Sequence, residues 1–298
     1  MAGQPRRRPR RPPGRAPAAR GRVPPAHRRR GRARRATGDG AEAARPPGAA
    51  IVRALLAQLR TELTLTLRNK ESLLLTLGIP IGLLVFFSLV DVLPLDALLG
   101  PGDEPVDVLA PGVLALAIMS MAMTGLAIAT GFERSYGVLK RLGTTPLGRP
   151  RLLAAKIGAV VVVEVIQATV LVPVALVLGW DPSLDLVPLL GAVVLGTAAF
   201  AGLGLWMAGT LRAEITLALA NGLYIVLLLL GGFVIPLAEL PDPLRRFAEA
   251  LPSSALVDLV RAGFDGATGP GRAWIVLAVW AVAMPLVAAR TFRWSPAR

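Results

Sequence analysis

The chain has 298 residues, of which 54% are hydrophobic and only 17% are charged, and its net charge is +14. Charged residues make up roughly a quarter of an ordinary soluble domain, so this composition excludes that class and places most of the chain in a bilayer. There is no Cys, and the one His is His27. Disulfides, thiolate nucleophiles, Cys-ligated zinc and histidine-based catalytic or metal sites are therefore excluded.

Residues 1–50 hold nearly all of the net charge, with fifteen Arg against two acidic residues, Asp39 and Glu42. Because large apolar residues are almost absent, we expect a disordered Arg/Pro-rich tail ahead of a membrane domain at 51–298. Three interpretations stay open: a tail that binds anionic lipid headgroups, a tail that binds nucleic acid non-specifically, or upstream sequence included by a mis-set start. No specific nucleic-acid partner is expected, since the remaining residues are nearly neutral.

The first periodic stretch is 51–70, IVRALLAQLRTELTLTLRNK. Its larger apolar residues recur at spacings of three and four, at Val52, Leu55, Leu59, Leu63 and Leu67. This pattern predicts an amphipathic helix that lies on the cytoplasmic membrane surface, in contact with lipids.

Six apolar runs follow, and each is long enough to span a bilayer or nearly so. We therefore predict an all-α integral membrane protein with six transmembrane helices. The runs are 72–93, 108–131, 157–179, 186–210, 216–236 and 273–289.

The distribution of bases between the runs predicts the orientation. Bases precede the first run, fill the connection between the second and third runs, and follow the last run, whereas the first and third connections carry acids without bases. Both termini are therefore expected in the cytoplasm. The fifth connection, 237–272, lies outside on this assignment, and its sequence predicts two short amphipathic helices at the outer interface with a break at Pro252.

The largest cytoplasmic connection is 132–151, FERSYGVLKRLGTTPLGRPR. Residues 133–142 are expected to extend the second span into the cytosol as a helix, and Pro146 and Pro150 to stop helix propagation before the third span. Two interpretations are open from the residues alone. The segment is a docking surface for a partner, or it is a basic loop that only fixes the topology.

Three of the polar residues inside the predicted spans are candidates for a role. Glu164 and Gln167 are three residues apart on one face of the third span, and Asn221 is in the fifth span. For Glu164 and Gln167 the open readings are an interhelical hydrogen bond, a shallow hydrated position, a polar element of an inner vestibule or a dimer contact. Asn221 is expected to join helices. A series of glycines in the fourth span predicts close helix packing, at Gly196, Gly202, Gly204 and Gly209.

Three stretches together carry a resemblance to a known family. ERSYGVLKRLGTTPLGRPRLLAAK resembles the family's ERERGTLKRLRATPL loop leading into the third span, with a departure at Ser135 and Tyr136, where the family usually has a further charge. RAEITLALANGLYIVLLLLGGFVIPLAELP is similar to its fifth span, and LRRFAEALPSSALVDLVRAGF to its outer helices. By these stretches 51–298 resembles the permease subunit of type-2 ATP-binding-cassette (ABC-2) exporters, the group that includes daunorubicin-resistance-like drug-efflux permeases.

The resemblance implies that the 133–146 loop is a coupling helix that docks on a separate ATPase subunit. The positions that match the family's loop are Glu133, Arg134, Gly137, Leu139, Lys140, Arg141, Thr145 and Pro146. It further implies a homodimer with two ATPase copies that exports a hydrophobic or amphipathic substrate across a bacterial plasma membrane. The chain lacks a G-x-x-x-x-G-K-[ST] phosphate loop, so ATP and Mg are expected on the partner and no cofactor or catalytic residue on this chain.

Two other functions are weighed against this one. A proton-coupled secondary transporter would use Glu164 as its proton site, but inverted repeats and interrupted helices are not evident in the sequence. A membrane enzyme of lipid metabolism would need clustered acids for a metal, and only Asp96, Asp103 and Asp107 in the first outer connection offer them.

Overall fold

A computed structural model describes residues 47–68, 70–90, 104–142, 149–233, 237, 240–266 and 269–294. Nearly all of the predicted tail therefore lies outside the described residues. Those residues form helices, with one isolated bridge between Ser183 and Asp265. The helices are α1 (Pro47–Arg68), α2 (Lys70–Leu89), α3 (Pro105–Met119), a π-helical segment (Ser120–Gly125), α4 (Leu126–Ser135), α5 (Val138–Leu142), α6 (Arg149–Val177), α7 (Leu186–Thr210), α8 (Ala213–Leu230), α9 (Asp242–Glu249), α10 (Pro252–Phe264) and α11 (Gly271–Thr291).

The all-α membrane fold predicted from the sequence is confirmed. Within the described residues, five helices are long and apolar enough to cross a membrane, at Pro105–Ser135, Arg151–Val177, Leu186–Thr210, Ala213–Leu230 and Gly271–Thr291. The first predicted span corresponds to α2, in which Thr76–Leu89 is a shorter apolar stretch. Six spans in total remain a prediction.

The second predicted span is one rod of 31 residues, Pro105–Ser135, which contains the π-helical segment. It begins at a capping box, because Asp107 Oδ2 accepts a hydrogen bond from the Glu104 backbone N–H at 2.8 Å. The π-helical turn was not predicted from the sequence. Such turns widen a helix locally and occur often at functional sites.

The helix α1 packs against α6 through the middle of its predicted apolar stripe. Leu55, Leu59 and Leu63 are half-buried, whereas Val52 and Leu67 at the two ends are exposed. Leu59 Cδ1 lies 3.4 Å from the place that a Cβ on Gly158 of α6 would occupy. The predicted amphipathic helix is therefore present, and its apolar face covers the third span.

The centre of the molecule is formed by α3, the π-helical segment, α7 and α10. Close packing at the glycines of α7, predicted from the sequence, is confirmed. An added Cβ would come within 2.7 Å of Leu256 at Gly196, and within 2.5 Å of Pro285 at Gly202. It would come within 2.6 Å of Met123 at Gly204, and within 2.4 Å of Phe292 at Gly209. These contacts bring α10, α11 and the π-helical segment directly onto α7.

Two short helices precede the last span, as predicted, and they break at Pro252. The sequence did not predict how much of α10 is buried within the fold. Eleven of its thirteen residues are buried, because it packs between α3, α7 and α11. Its Phe264 ring meets Trp180 at a centroid distance of 4.7 Å. Only α9 has the exposed, amphipathic character expected of an interfacial helix.

Candidate functional site

The segment that follows the second span is not one continuous helix, contrary to the expectation for 133–142. The helix α4 ends at Ser135, Gly137 adopts a φ of +73°, and α5 starts at Val138. The Gly137 N–H donates to the Arg134 carbonyl at 3.1 Å. A residue with a side chain is strained at this φ, so glycine allows the chain to turn here. The helix α6 begins at Arg149, so Pro150 lies in its first turn and does not stop it.

A buried lysine joins this segment to two other helices. Lys156, near the start of α6, has a side chain that is 2% exposed, and its Nζ lies 3.0 Å from Glu62 Oε2 on α1 and 2.6 Å from Glu133 Oε2 on α4. Gln58 donates to the second oxygen of Glu62 at 2.9 Å. One cation therefore faces two carboxylates, and this ion cluster ties α1, α4 and α6 together.

The neighbouring Arg134 reaches the end of α7. Its guanidinium is buried and donates to the backbone carbonyls of Gly209 and Leu211. The last carbonyls of a helix have no partner within the helix, and a guanidinium with several fixed donors can bind two of them at once. Arg134 thus holds the α7–α8 junction against the end of the second span.

A small apolar cluster continues the same connection to α11. Leu139 of α5 is fully buried against Leu152 of α6, and Phe292 and Trp294, just after α11, pack on them. The Phe292 and Trp294 rings lie 4.9 Å apart between centroids. The Arg293 backbone N–H donates to the Gly209 carbonyl at 3.0 Å, the same carbonyl that Arg134 binds.

The remaining side chains of this segment point to solvent. Tyr136 is 75% exposed, and Val138, Lys140 and Arg141 are exposed as well. We name residues 133–142 the coupling segment, after the role predicted for them from the sequence, and these four residues its outer face. Of the eight predicted coupling residues, six are thus brought together here, but Glu133, Arg134 and Leu139 bind within the chain. Thr145 and Pro146 lie outside the described residues.

The predicted intramembrane polar residues occupy two different environments. Glu164 is 5% exposed and accepts a hydrogen bond from Thr197 on α7 at 2.7 Å, and Gln167 is 1% exposed and donates to the Thr76 carbonyl on α2 at 3.1 Å. Asn221 is exposed on α8 and donates to the Leu217 carbonyl of its own helix at 2.9 Å. The expectation was that Asn221 joins two helices. Within the described chain its hydrogen bond lies inside α8 instead.

The other polar cluster lies on the outer hairpin, α9 and α10. Arg272 of α11 donates to Asp258 Oδ2 at 2.6 Å and to the Glu249 carbonyl at 2.8 Å. Burial raises the pKa of Asp258 above its usual value, and the opposing effects of Arg272 and Arg261 are smaller. Arg272 therefore fixes both short helices to the last span.

Sequence reasoning missed Glu62 and Lys156 as site residues. Lys156 is one of three Lys in the chain and sits at the edge of an apolar run. A base in that position needs a carboxylate partner, which was a usable signal. The identity of the partners depends on helix packing, and the sequence gives no spacing that links residues 62, 133 and 156.

Acidic clusters offer little for a metal or phosphate site in the described part of the chain. No group of three or more His, Cys, Asp or Glu could hold a metal ion there. Asp107 caps α3, while Asp96 and Asp103, the other acids considered for such a site, lie outside the described residues.

Comparison with known families gives one match. The family model described as "ABC-2 type transporter" matches residues 53–264, which contain most of α1, the coupling segment and the outer hairpin. A search of curated proteins finds no match. The matched range exceeds half of the chain.

Proposed function

The chain belongs to the ABC-2 type transporter family, and from this premise we propose that it exports a hydrophobic or amphipathic substrate, such as a drug, an antibiotic or a lipid-like molecule. As a member of that family it is a multi-pass membrane permease of an ABC transporter, and its partner is an ABC ATPase. We further propose two permease copies with two ATPase copies, in a bacterial plasma membrane with both termini in the cytoplasm.

One observation carries the coupling role in this proposal. The outer face of the coupling segment is exposed, while the inner side of the same segment contacts α6, α7 and the end of α11 and is linked to α1 through Lys156. Glu133 binds Lys156 on α6, which in turn binds Glu62 on α1. Arg134 binds the end of α7, and Leu139 packs on α6 and on the residues just after α11.

A displacement of this exposed face would therefore reach α6, α7 and the end of α11 through direct contacts, and α1 through Lys156. Charged bonds and a buried leucine transmit such a displacement better than a flexible loop would, because packed groups move together. The lack of a G-x-x-x-x-G-K-[ST] phosphate loop in these 298 residues supports a partner that closes and opens with ATP. Alternating access of the spans then moves the substrate.

The test is co-purification of the full-length tagged chain from its own host, with the bound proteins identified by mass spectrometry. We expect a stoichiometric ATPase that carries a phosphate loop. Lys140→Glu, a charge reversal on the outer face, should lower its recovery at least several-fold. Arg246→Glu, an equally exposed reversal on α9, should not.

Recovery of the chain without any ATPase would overturn the proposal, provided that known transporter complexes survive in the same detergent. Equal loss of the ATPase in both charge reversals would show that the coupling segment is not the docking surface.

A further inference from the structure

Two buried oxygen atoms in the middle of α6 have no hydrogen-bond donor. They are Oε1 of Glu164 and Oε1 of Gln167, and both side chains are at least nine-tenths buried. Their other polar atoms are satisfied, because Glu164 Oε2 accepts from Thr197 and Gln167 Nε2 donates to the Thr76 carbonyl. That second bond also fixes the orientation of the Gln167 amide, since a carbonyl there requires the NH₂ group.

The two unsatisfied oxygens belong to side chains that are three residues apart on α6. Residues three apart lie on one face of an α-helix, so the two side chains are neighbours. An ionised carboxylate is only an acceptor, and two acceptors cannot bond to each other. A single proton on the carboxyl removes the conflict, because it converts one oxygen into a donor that the other can accept from.

We propose that Glu164 is a proton-binding site, held as a neutral carboxylic acid whose Oε1–H donates to Gln167 Oε1. A neutral chain of hydrogen bonds then runs from Thr197 on α7 through Glu164 and Gln167 on α6 to the Thr76 carbonyl on α2. Binding of the proton leaves no orphaned acceptor and joins three spans. Without the proton, Glu164 would be a buried carboxylate with one hydrogen bond and no counter-ion, and Gln167 Oε1 would have no donor; both are unfavourable away from water.

The surroundings contain no cation placed to hold Glu164 as a carboxylate. Within the described residues Glu164 has no salt bridge, and α7 and the π-helical segment contain no charged residue at all. Lys156, on α6 itself, is bound to Glu62 and Glu133 and lies eight residues away, about 12 Å along the helix. The other elements that contact α6 carry their charged residues at Arg53, Arg60, Glu62 and Arg68 on α1, Lys70 and Glu71 on α2, Asp107 on α3, Glu133 and Arg134 on α4, and Lys140 and Arg141 on α5. The helix α6 itself also carries Arg149 and Arg151, which are farther from Glu164 in sequence than Lys156 is.

Infrared spectroscopy of the purified, full-length chain at neutral pH tests the proposal directly. A protonated carboxyl has a carbonyl band that is well separated from the bands of carboxylates. We expect such a band in the wild type and its loss in Glu164→Gln. Glu214→Gln, at an exposed position of α8, should leave the band in place and remove only carboxylate absorption.

A second variant tests the hydrogen bond to Gln167. Gln167→Leu should keep the protonated-carboxyl band but shift it, since the acid loses its acceptor. Glu164→Gln should keep its unfolding temperature within a few degrees, because its amide N–H can replace the acid O–H. Loss of only carboxylate absorption in Glu164→Gln would overturn the proposal, and an unshifted band in Gln167→Leu would do so even if the first variant failed to fold.

Discussion

The ion cluster of Lys156, Glu62 and Glu133 stabilises the junction of α1, α4 and α6 only while all three members are present. Its lysine is almost completely buried, and the two carboxylates are mostly shielded from solvent. Ion pairs in such places have a small net effect when intact, because desolvation offsets much of the attraction. Removal of one partner, in contrast, leaves an unpaired charge in a dry site.

Lys156→Met should therefore lower the free energy of unfolding by about 3 kcal/mol, as measured by denaturant titration in detergent micelles. Lys140→Met, the same chemical change at an exposed position, should stay within about 0.5 kcal/mol of the wild type. Adding Glu62→Gln to Lys156→Met should restore part of the loss, because one uncompensated carboxylate is then gone. A loss in the double variant equal to the sum of both single losses would contradict an interacting cluster.

At the scale of elements, Gly202 allows the backbones of α7 and α11 to approach each other closely. An added Cβ at Gly202 would lie 2.5 Å from the Pro285 nitrogen and 2.7 Å from the Met284 carbonyl carbon, both of which are backbone atoms. Backbone cannot rotate away as a flexible side chain can, so the two helices would have to separate. Because these helices share a long contact, the separation would be felt along the whole interface.

Gly202→Ala should thus destabilise the protein by about 1–3 kcal/mol, the usual range for overpacking. Gly82→Ala on α2 is the matched control, since nothing lies within 4 Å of its added Cβ. Alanine is the better helix former there, so the control should be neutral or stabilised by up to about 1 kcal/mol. The unfolding temperatures of the two variants would be measured in the same detergent. Equal unfolding temperatures would contradict the close approach of α7 and α11 at Gly202.

The outer hairpin should respond to pH through Asp258. Because burial raises the pKa of this carboxyl, the folded state binds the proton more tightly than the unfolded state does. The stability that Asp258 contributes is therefore fully present below its unfolded value of 3.8 and is lost as pH rises through the folded-state pKa.

Asp258→Asn does not titrate but can still accept from Arg272. Above pH 3.8, the unfolding temperature of the wild type should therefore fall relative to that of Asp258→Asn as the pH approaches neutrality. Asp242→Asn on α9 controls for the loss of an exposed carboxyl. Parallel pH curves for the wild type and Asp258→Asn would refute the effect.

The sequence predicted the elements better than their contacts. The span 186–210 was predicted with the bounds that the structure shows for α7, because an apolar run there is limited by Asp185, which caps the helix, and by Arg212. The break at Gly137 was missed, since nothing in the adjacent residues distinguishes a left-handed glycine from one within a helix. The burial of α10 was missed because its charged residues suggested a surface helix, whereas Asp258 is partly buried with its partner Arg272.

The candidate site was predicted in position but not in geometry. The loop at 132–151 was recognised by its charges and by resemblance to a family. The partners of Arg134 are carbonyls 75 and 77 residues away, and no local pattern can identify a backbone partner at that distance. The sequence therefore suggested that Glu133, Arg134 and Leu139 bind another protein, while the folded chain uses all three to bind itself.

At the scale of the whole molecule, α8 has an outward side that does not suit contact with lipid alone. Its buried side is marked by Thr216, Ala220 and Leu227, and the opposite side exposes Ala218, Asn221, Gly222 and Ile225. Small residues and an amide are typical of helix–helix contacts in membranes, where they allow close approach and exchange hydrogen bonds. This supports the proposed second copy of the chain as the neighbour of α8.

Because the chain has no Cys, single introduced cysteines can test this contact without background. Cysteines placed one at a time at Ala218, Asn221 and Ile225 should give a disulfide-linked dimer in membranes for at least one position, since a two-fold axis brings equivalent residues together. Val194→Cys on α7 and Val279→Cys on α11, which are equally exposed, should remain monomeric on non-reducing gels. If cross-links formed only at Val194→Cys or Val279→Cys, the dimer contact would lie on α7 or α11 instead of α8. The absence of a cross-link at every position would argue against a homodimer.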